Sequence, residues 1–512
     1  MTILRALLVA SGFVAAAATS MPAVAQTARG GVIDVAIIGE PPTLDPMMST
    51  ADVVSIVTQH FYETLYTFNG NWAVVPLLAE SMPDVSADGK TYTIAIRRGV
   101  SFHDGSSMDA HDVVDSLKRW TQVAARGKGV ADRIDSIEAV DDFTVRINMN
   151  QPYSPLTALL AFSNAAAAIV PQESIGGDQL AGIIGTGPYK LAEHRPDEYI
   201  QVVRFDGYVS RTEPSDGPSG ERKQILDEIR FVPVPDANTR VEGAVAGQYA
   251  FADALPTEAY QRLVDSEAAT PVLLRPFGWP IFAFNMKDGL MTGLDVRRAV
   301  QASLSPDDML YAAFGDENFY VVDASLFPDH YVWSNDAGAD LYNQANPARS
   351  KELLSAAGYD GTPLRILTSH QYEFHFKMAE VAKINLEQGG FTVQLDVVDW
   401  ATLTQRRNNP ELWDIYITHS PFLPEPALTS LYGPTSRLGW IDETKDAVLS
   451  EFTSVTDPDR RIELFEQLQG LVYEQAPFYK VGGFNALMAK SPGLAGVTDT
   501  PWPFFWNASL EQ

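Results

Sequence analysis

The stretch Pro271–Met286, PVLLRPFGWPIFAFNM, decides the fold because it separates two parts of the chain with different patterns. It predicts a strand, a bend at Phe277–Pro280 and a second strand at Ile281–Met286. The second strand is apolar apart from Asn285, as expected for a strand buried on both faces. Strand patterns dominate before this segment and helical patterns follow it. We predict that it carries the chain from one lobe to another; the alternative is a central strand of one large domain.

Composition describes an ordinary globular chain and excludes several functions. The 512 residues suffice for two or three domains, and hydrophobic content is 46% with 20% charged residues. A net charge of -28, from 37 Lys+Arg and 65 Asp+Glu, argues against nucleic-acid binding because the phosphate backbone would be repelled. The absence of cysteine excludes disulfides, cysteine-ligated zinc and iron–sulfur clusters. No cofactor or metal site is predicted.

The first 26 residues have the pattern of a secretory signal. Arg5 precedes an apolar run from Ala6 to Ala18, and Ala23–Ala25 forms a small-residue cleavage site. A membrane anchor is the alternative, but the run is shorter than the ~20 residues that span a bilayer. We predict a signal peptide at residues 1–25, and a mature protein exported to the periplasm.

Several motifs follow one another in a characteristic order. They are Leu78–Ser81, Arg98–Val100, Phe102–Gly105, Asp112–Val114, Gly185–Tyr189 (GTGPY), Arg204–Tyr208, Phe231–Phe251, Phe284-Asn285, Asp295–Arg297 and Leu353–Tyr359. Each is weak alone, since GTGPY by itself is a tight turn whose glycines we expect to supply unusual backbone angles. In this order they resemble the periplasmic solute-binding proteins of the oligopeptide, dipeptide and nickel ABC-transporter family, also called family 5 extracellular solute-binding proteins.

The resemblance implies an α/β, two-lobe periplasmic binding protein fold of type II, in the large class with an extra subdomain in lobe 1. Lobe 1 would span residues 26–275, with the subdomain at about 65–172; lobe 2 would span 276–480, and 481–512 would return to lobe 1. The implied function is the substrate-binding component of an ABC importer, which captures a peptide or peptide-like solute. The partners would be that ligand and an inner-membrane permease, with the protein itself a monomer.

Family resemblance places the ligand between the lobes, in loops at the sheet edges and on the crossing strands. The candidate contacts are Thr43, Leu44, Met47, Trp279, Phe282, Asn285, Tyr372, Trp400, Thr418, His419, Ser420, Phe422 and Glu425. Trp279 and Trp400 can instead belong to the lobe core. Phe102–Gly105 is interpreted as a turn in which His103 bonds to backbone or solvent, not to a metal.

The loop Thr418–Pro426 departs from the dipeptide-binding pattern. Members of that type have an aspartate there for the ligand's ammonium group, and a rough alignment places Phe422 at its position. Glu425 is the one acid of the loop, and it either replaces the aspartate or is a solvated turn residue. A non-peptide solute such as a sugar, an opine, an amino-acid derivative or a metal chelate therefore stays open.

Enzyme motifs do not occur in the sequence. There is no G-x-S-x-G, no phosphate-binding G-x-x-x-x-G-K-[ST] and no H-E-x-x-H. His370 and His375 are five residues apart, ~140° around a helix, and do not share a metal-binding face. We predict that the protein is not an enzyme; a secreted hydrolase and a periplasmic chaperone or sensor for peptides are the less favoured alternatives.

Overall fold

The computed structural model describes residues 30–177, 179–369, 372–398, 400–429, 431–433, 436–498 and 500–511. The predicted signal peptide at 1–25 lies outside the described residues. Within these ranges, every helix is too short or too polar to cross a bilayer.

The first half of the chain alternates short strands and helices. Its strands are β1 (Val32–Ile37), β2 (Tyr66–Phe68), β3 (Val74–Pro76), β4 (Asp84–Val85), β5 (Thr91–Ala95), β6 (Ile134–Asp141), β7 (Thr144–Met149), β8 (Ile175–Gly176), β9 (Gln179–Leu180), β10 (Tyr189–Arg195), β11 (Tyr199–Arg204), β12 (Glu228–Pro233) and β13 (Phe251–Leu255). Its helices are α1 (Asp52–Thr58), α2 (Ala110–Val123), α3 (Ala125–Ala131), α4 (Leu156–Leu159), α5 (Ala237–Val245) and α6 (Tyr260–Val264). Asp109 caps α2 by accepting from the backbone N–H of His111 and Asp112, as its sequence predicts.

The second half begins with a long strand and contains the longer helices. Its strands are β14 (Thr270–Phe284), β15 (Tyr320–Val321), β16 (Leu364–Ser369), β17 (Val393–Val398), β18 (Ile415–Pro421), β19 (Phe478–Lys480), β20 (Gly483–Lys490), β21 (Leu494–Ala495) and β22 (Ser509–Leu510). Its helices are α7 (Leu294–Ser303), α8 (Pro306–Phe314), α9 (Pro347–Ala356), α10 (Glu373–Gln388), α11 (Trp400–Arg406), α12 (Glu443–Ser454) and α13 (Pro458–Gln475).

Two groups of parallel strands are joined by antiparallel strands. Among the described residues, one 12-stranded sheet has the order β10-β11-β12-β1-β13-β20-β14-β18-β16-β17, with β15 on β20 and β19 on β14. In lobe 1, β1 is parallel to β12 and β13; in lobe 2, β16 is parallel to β17 and β18. The antiparallel strands β14 and β20, here called the crossing strands, connect the lobes. A separate antiparallel sheet, β4-β5-β7-β6, belongs to the first half of the chain.

The predicted bend at Phe277–Pro280 is wrong, because β14 continues through it. The pairing of β14 with β20 shifts register between Leu274 and Gly278, which marks a bulge and not a break. From Gly278 onward β14 also pairs with β18. A side chain at Gly278 would meet the Ser420 carbonyl oxygen at 2.4 Å, so glycine lets the two strands approach.

The buried apolar side chains form separate groups in the two halves. The largest group draws on residues 33–274 and on Met488–Ala508, while two further groups draw on residues 279–481. The C-terminal segment thus packs with the first half of the chain. The lobe boundaries 26–275, 276–480 and 481–512, and the subdomain limits 65–172, stay predictions.

The motif glycines act through close approach and not through unusual angles. The φ angles of Gly185 and Gly187 lie outside the positive range, which corrects the expectation of unusual backbone angles. Their Cα atoms lie against the main chain of Phe61 and His60. His103 bonds this turn: its Nε2 lies 3.0 Å from the Gly187 carbonyl oxygen, and its Nδ1 accepts from Gly185 N–H at 3.3 Å. The structural interpretation of His103 is confirmed.

A buried histidine attaches the C-terminal segment to lobe 1. The backbone N–H of Phe505 donates to His60 Nε2 at 3.1 Å, and His60 Nδ1 donates to the Ile56 carbonyl oxygen at 3.0 Å. In the neutral ring, therefore, one nitrogen donates a hydrogen bond and the other accepts one. Burial lowers the pKa of His60 to about 3.

We expect His60 to make the protein acid-sensitive. Because its folded pKa is below the unfolded value of 6.5, its contribution to stability is complete above pH 6.5 and is lost as the pH falls towards 3. Between pH 6.5 and 4.5 this loss is about 2.3 kcal/mol, because the unfolded histidine is already half protonated at pH 6.5. Urea unfolding of His60→Gln should show a shallower pH dependence by this amount, whereas His111→Gln, on the exposed side of α2, should match the wild type. Equal pH dependence of all three proteins would contradict the assignment.

Candidate ligand-binding cleft

A cavity of about 690 Å³ lies between the lobes at the carboxyl ends of their parallel strands. Lobe 1 lines it with Ile38, directly after β1, and with Asp253–Leu255 at the end of β13. Lobe 2 lines it with Tyr372, shortly after β16, and the crossing strands contribute Phe277 and Phe484–Met488. This edge of an open α/β sheet is where ligands bind. We call the cavity the interlobe cleft.

Lobe 2 gives the cleft an aromatic wall, defined by Phe314, Tyr372, Phe374, His419 and Phe484. Phe314 stacks on Phe374 and Phe484, with ring centroids 5.6 and 5.9 Å apart. Tyr372 and Phe374 meet the ring of His419 edge-on at 4.7 and 5.4 Å. The rings come from α8, from the start of α10 and from the strands β18 and β20. Interlocked rings of this kind form a rigid apolar surface.

His419 of this wall forms a neutral pair with the buried His375 behind it. His419 Nδ1 lies 3.0 Å from His375 Nε2. Burial lowers the pKa of His419 to about 4, and burial followed by the neighbouring His419 lowers the pKa of His375 well below its usual value. Neither ring is therefore charged at neutral pH. In the described part of the chain, no group of three or more His, Asp or Glu side chains is arranged to hold a metal ion; His370 lies outside the described residues.

Lobe 1 contributes a bulge that an arginine stabilises. The pairing of β13 with β20 shifts register between Ala252 and Leu255, and Ala254 has a left-handed φ of 49°. Arg240 on α5 donates to the carbonyl oxygens of Asp253 at 3.0 Å and Ala254 at 2.7 Å. A non-glycine residue rarely adopts this conformation, and bulges next to binding sites turn side chains towards the site.

Carboxylates dominate this side of the cleft. Burial raises the pKa of Asp253 to about 6, and burial also raises the pKa of Asp52. Asp52 Oδ1 accepts from Trp502 Nε1 at 2.8 Å, which ties it to the C-terminal segment. Across the cleft, Lys377 forms an ion pair with Glu373 at 3.0 Å.

The structure brings two of the predicted contacts into the interlobe cleft, Tyr372 and His419. Tyr372 follows β16, and His419 lies near the end of β18, so both are at the carboxyl ends of lobe 2 strands. Trp400 begins α11, but its side chain lies outside the described part of the structure. Thr418 and Ser420 lie on β18, paired with Ile281 and Trp279 of β14. As ligand contacts, all of these stay predictions.

The predicted contacts of lobe 1 lie in a buried loop. The Arg119–Asp45 ion pair, at 2.6 Å, draws this loop onto α2. Leu44 and Met47 are buried in the lobe 1 core, and Thr43 Oγ1 accepts from Asp45 N–H at 3.0 Å. These three residues therefore have structural partners away from the cleft lining.

Several lobe 2 candidates also have structural partners. Phe282 and Asn285 are fully buried, and Asn285 Nδ2 donates to the carbonyl oxygens of Pro410 and Trp413. They lie in the core instead of the cleft because β14 is covered on both faces. Glu425 is neither solvated nor in the interlobe cleft: it pairs with Arg461 at 2.8 Å.

Trp279 and Phe422 pack together outside the lining of the interlobe cleft. Their rings are stacked with centroids 6.2 Å apart, and Trp279 belongs to a lobe 2 core group. Phe422 lines a cavity of about 310 Å³ together with Lys480 and Asp323. Burial lowers the pKa of Lys480 to about 8.

Sequence reasoning missed the bulge residues Asp253 and Arg240 and the wall residues Phe374 and Phe484. Phe374 and Phe484 lie close in sequence to the ends of strands, and this position could have identified them. The bulge has no comparable signal, because it depends on hydrogen bonds between α5 and β13.

Two lobes of parallel strands are joined by antiparallel crossing strands and have the interlobe cleft between them. This arrangement defines a two-lobe solute-binding protein. The chain belongs to the family described as "Bacterial extracellular solute-binding proteins, family 5 Middle", whose profile matches residues 73–438. The predicted family and the predicted α/β two-lobe fold are confirmed.

Relatives of known name match the full length of the chain. A probable peptide ABC transporter periplasmic-binding protein of Sinorhizobium fredii is 26% identical over 99% of this chain and 99% of its own length. A glutathione-binding protein of Salmonella paratyphi A is 26% identical over 90% of this chain and 91% of its own. By name, the first relative is a periplasmic binding protein of a peptide ABC transporter, and the second binds glutathione.

Solved structures share the fold. The substrate-binding protein CtaP of Listeria monocytogenes has a TM-score of 0.81 at 20% identity, covering 94% of this chain and 99% of its own. The ABC transporter-associated periplasmic binding protein DppA of Helicobacter pylori, in complex with the peptide STSA, has a TM-score of 0.75 at 21% identity. The match covers 95% of this chain and 99% of that protein. AgaA of A. tumefaciens R10, in complex with agropinic acid, has a TM-score of 0.75 at 23% identity. The match covers 94% of this chain and 99% of that protein.

Proposed function

We propose that this protein is the extracytoplasmic substrate-binding component of an ABC importer, and that it captures a peptide or peptide-like small solute in the interlobe cleft. The observation that carries the proposal is the cleft itself, about 690 Å³ at the carboxyl ends of both sets of parallel strands. Its volume falls in the ~300–1,000 Å³ range of ligand pockets. The names of the relatives from S. fredii and Salmonella support a peptide-like ligand.

The proposed mechanism is binding without reaction. The lobes close about the crossing strands, and the ligand stabilises the closed state by its greater affinity for that state. The closed monomer then docks on a membrane permease. The sequence has no phosphate-binding loop, so ATP hydrolysis belongs to another subunit of the importer. Cleavage after residue 25 would release the protein into the periplasm.

A receptor for a non-peptide solute is the second candidate. The observation in its favour is the loop after β18, where no aspartate occurs between Asp414 and Asp442 and where Phe422 is buried. AgaA, with its bound agropinic acid, shows the same fold with a ligand of this kind.

We expect the protein to bind its solute and to release it chemically unchanged. Mass spectrometry of the denatured, purified protein should identify the co-purified compound. Adding that compound at 100 times its Kd should raise the free energy of unfolding by about 2.7 kcal/mol. After incubation, the compound should be recovered with its original mass. Conversion of the compound to a product, or the absence of any stabilising solute, would contradict the proposal.

A further inference from the structure

We propose that the solute carries a cationic nitrogen, which Asp253 binds, and an apolar part, which packs on the aromatic wall. This inference rests on the proposed function and deepens it by naming the class of ligand. It assigns the cation contact to lobe 1, whereas the resemblance to dipeptide receptors places that contact in the loop after β18.

The first observation is the charge of the cleft lining. The charged side chains along the interlobe cleft are Asp52, Asp253, Glu258, Glu373, Arg240 and Lys377. Acids outnumber cations, and the neutral His375–His419 pair adds no positive charge. A cleft lined by charges of one sign concentrates its field and attracts ions of the opposite sign, here cations.

Both cations in the lining are already engaged. Arg240 donates to the carbonyl oxygens of Val234 at 2.7 Å and Pro235 at 3.1 Å, as well as to those of Asp253 and Ala254. Its donors point at the backbone and not at a carboxylate. Lys377 is paired with Glu373 on the opposite lobe. The positive charge of Arg240 acts on Asp253 and lowers its pKa against the effect of burial, but the main chain uses the Arg240 N–H groups, so a ligand can bring the donor to the Asp253 carboxylate.

Asp253 is the acid that the fold presents to the cleft. It lies in the β13 bulge, next to the left-handed Ala254, and Arg240 holds the carbonyl oxygens of both residues. The side chain is half-buried. Its pKa of about 6, raised by burial, leaves it mainly ionised at neutral pH. A partly buried, ionised carboxylate forms strong hydrogen bonds with a cationic donor.

A second, independent observation is an unsatisfied acceptor in the same cavity. Asn485 lines the cleft from crossing strand β20 and is 4% exposed. Its Nδ2 donates to the Asn318 carbonyl oxygen at 2.6 Å. This hydrogen bond fixes the orientation of the side-chain amide, so the atom on its other side is the oxygen Oδ1. Among the described residues, Oδ1 has no hydrogen-bond partner. Buried acceptors are nearly always satisfied, so this oxygen points to a donor that the ligand brings.

The aromatic wall faces this polar side across the cleft. Phe314, Phe374 and Phe484 offer ring faces and edges to an apolar group, and rings also attract a neighbouring cation. A ligand with an ammonium group and an apolar body satisfies both sides. An anionic solute would place its charge beside Asp253 and Asp52.

The test uses dipeptide amides with different side chains, each in three forms: the free amine, the N-acetyl derivative and the N-succinyl derivative. The three forms share one body and carry one positive, no and one negative charge. Isothermal titration calorimetry measures each form on the wild type, on Asp253→Asn and on Asp135→Asn. Asp135 is exposed on β6, so its variant is a matched change of charge outside the cleft.

We expect the free amines to bind at least ~30-fold more tightly than the neutral and anionic forms. Asp253→Asn should abolish that preference, and Asp135→Asn should keep it. Equal or tighter binding of the neutral or anionic forms would overturn the inference while leaving the proposed function intact. A co-purified solute without a cationic nitrogen would do the same. If no form binds and no solute co-purifies, both proposals fail.

Discussion

Gly185→Ala is expected to destabilise the protein by ~3 kcal/mol or more. A Cβ atom at this position would lie 2.0 Å from the Phe61 carbonyl oxygen and 2.7 Å from the Tyr62 ring. The Phe61 carbonyl oxygen belongs to the main chain, so it cannot avoid the new Cβ atom by a change of rotamer. The GTGPY turn would have to move away from Phe61 and Tyr62, which follow α1. The hydrogen bonds of His103 to Gly185 and Gly187 would then be lost. Urea unfolding followed by circular dichroism measures the change.

Gly129→Ala is the matched control. Gly129 is exposed within α3, and no heavy atom lies within 4 Å of the position a Cβ would take. Alanine is the better helix former by up to ~1 kcal/mol, so this variant should be neutral or slightly stabilised. Equal stability of Gly185→Ala and Gly129→Ala would show that the GTGPY turn does not depend on close approach.

Glu63→Gln is expected to cost about 3–5 kcal/mol, because it removes one partner of a buried ion pair. Glu63 is 3% exposed and Arg222 is 4% exposed. Glu63 accepts from Arg222 Nη1 at 2.9 Å, from Tyr208 Oη at 2.8 Å and from Thr186 Oγ1 at 2.9 Å. Glutamine keeps the size of the side chain, so the loss reflects the uncompensated Arg222 charge and the altered hydrogen bonds. The change is measured from urea unfolding curves.

The control for this prediction is Glu242→Gln. Glu242 forms an exposed ion pair with Arg262, and such pairs contribute ~1 kcal/mol or less. Combining Glu63→Gln with Arg222→Met should recover part of the loss, because the second change removes the unpaired charge. A cost for Glu63→Gln no larger than that for Glu242→Gln would contradict the assigned role of the buried pair.

The Glu63 network explains why separate motifs occur in one order. Thr186 belongs to GTGPY and Tyr208 to the Arg204–Tyr208 motif, and both donate to Glu63. His103, from the Phe102–Gly105 motif, bonds the same GTGPY turn. The resemblance was recognised from the spacing of these motifs along the chain. Their meeting point became visible only in the folded structure.

Local patterns predicted the elements of lobe 2 well. Helix α13 spans Pro458–Gln475 with Asp457 as its cap, as its sequence predicts. The sequence pattern predicts strands at Leu364–Thr368 and Phe391–Val398, and the structure has β16 (Leu364–Ser369) and β17 (Val393–Val398) there. These elements carry their own signals, since caps and alternating apolar residues act over a few neighbouring positions.

The candidate site was predicted less completely. Tyr372 and His419 line the interlobe cleft, as expected for residues at the ends of lobe 2 strands. Phe282 and Asn285 belong to the crossing segment Pro271–Met286, but this segment is covered on both faces and both residues are fully buried. The pattern of apolar and polar residues along a strand does not show which face of the strand is covered by other parts of the protein.

The sequence by itself determined the family, the apolar crossing segment and most helix and strand positions, because capping, periodicity and motif order are local or depend only on spacing. Only the tertiary structure decided which side chains face the cleft. Asp253 reaches it through a bulge, and α5 stabilises that bulge through Arg240 from outside the strand. A contact between distant segments depends on how they pack against each other, and neither segment carries that information alone.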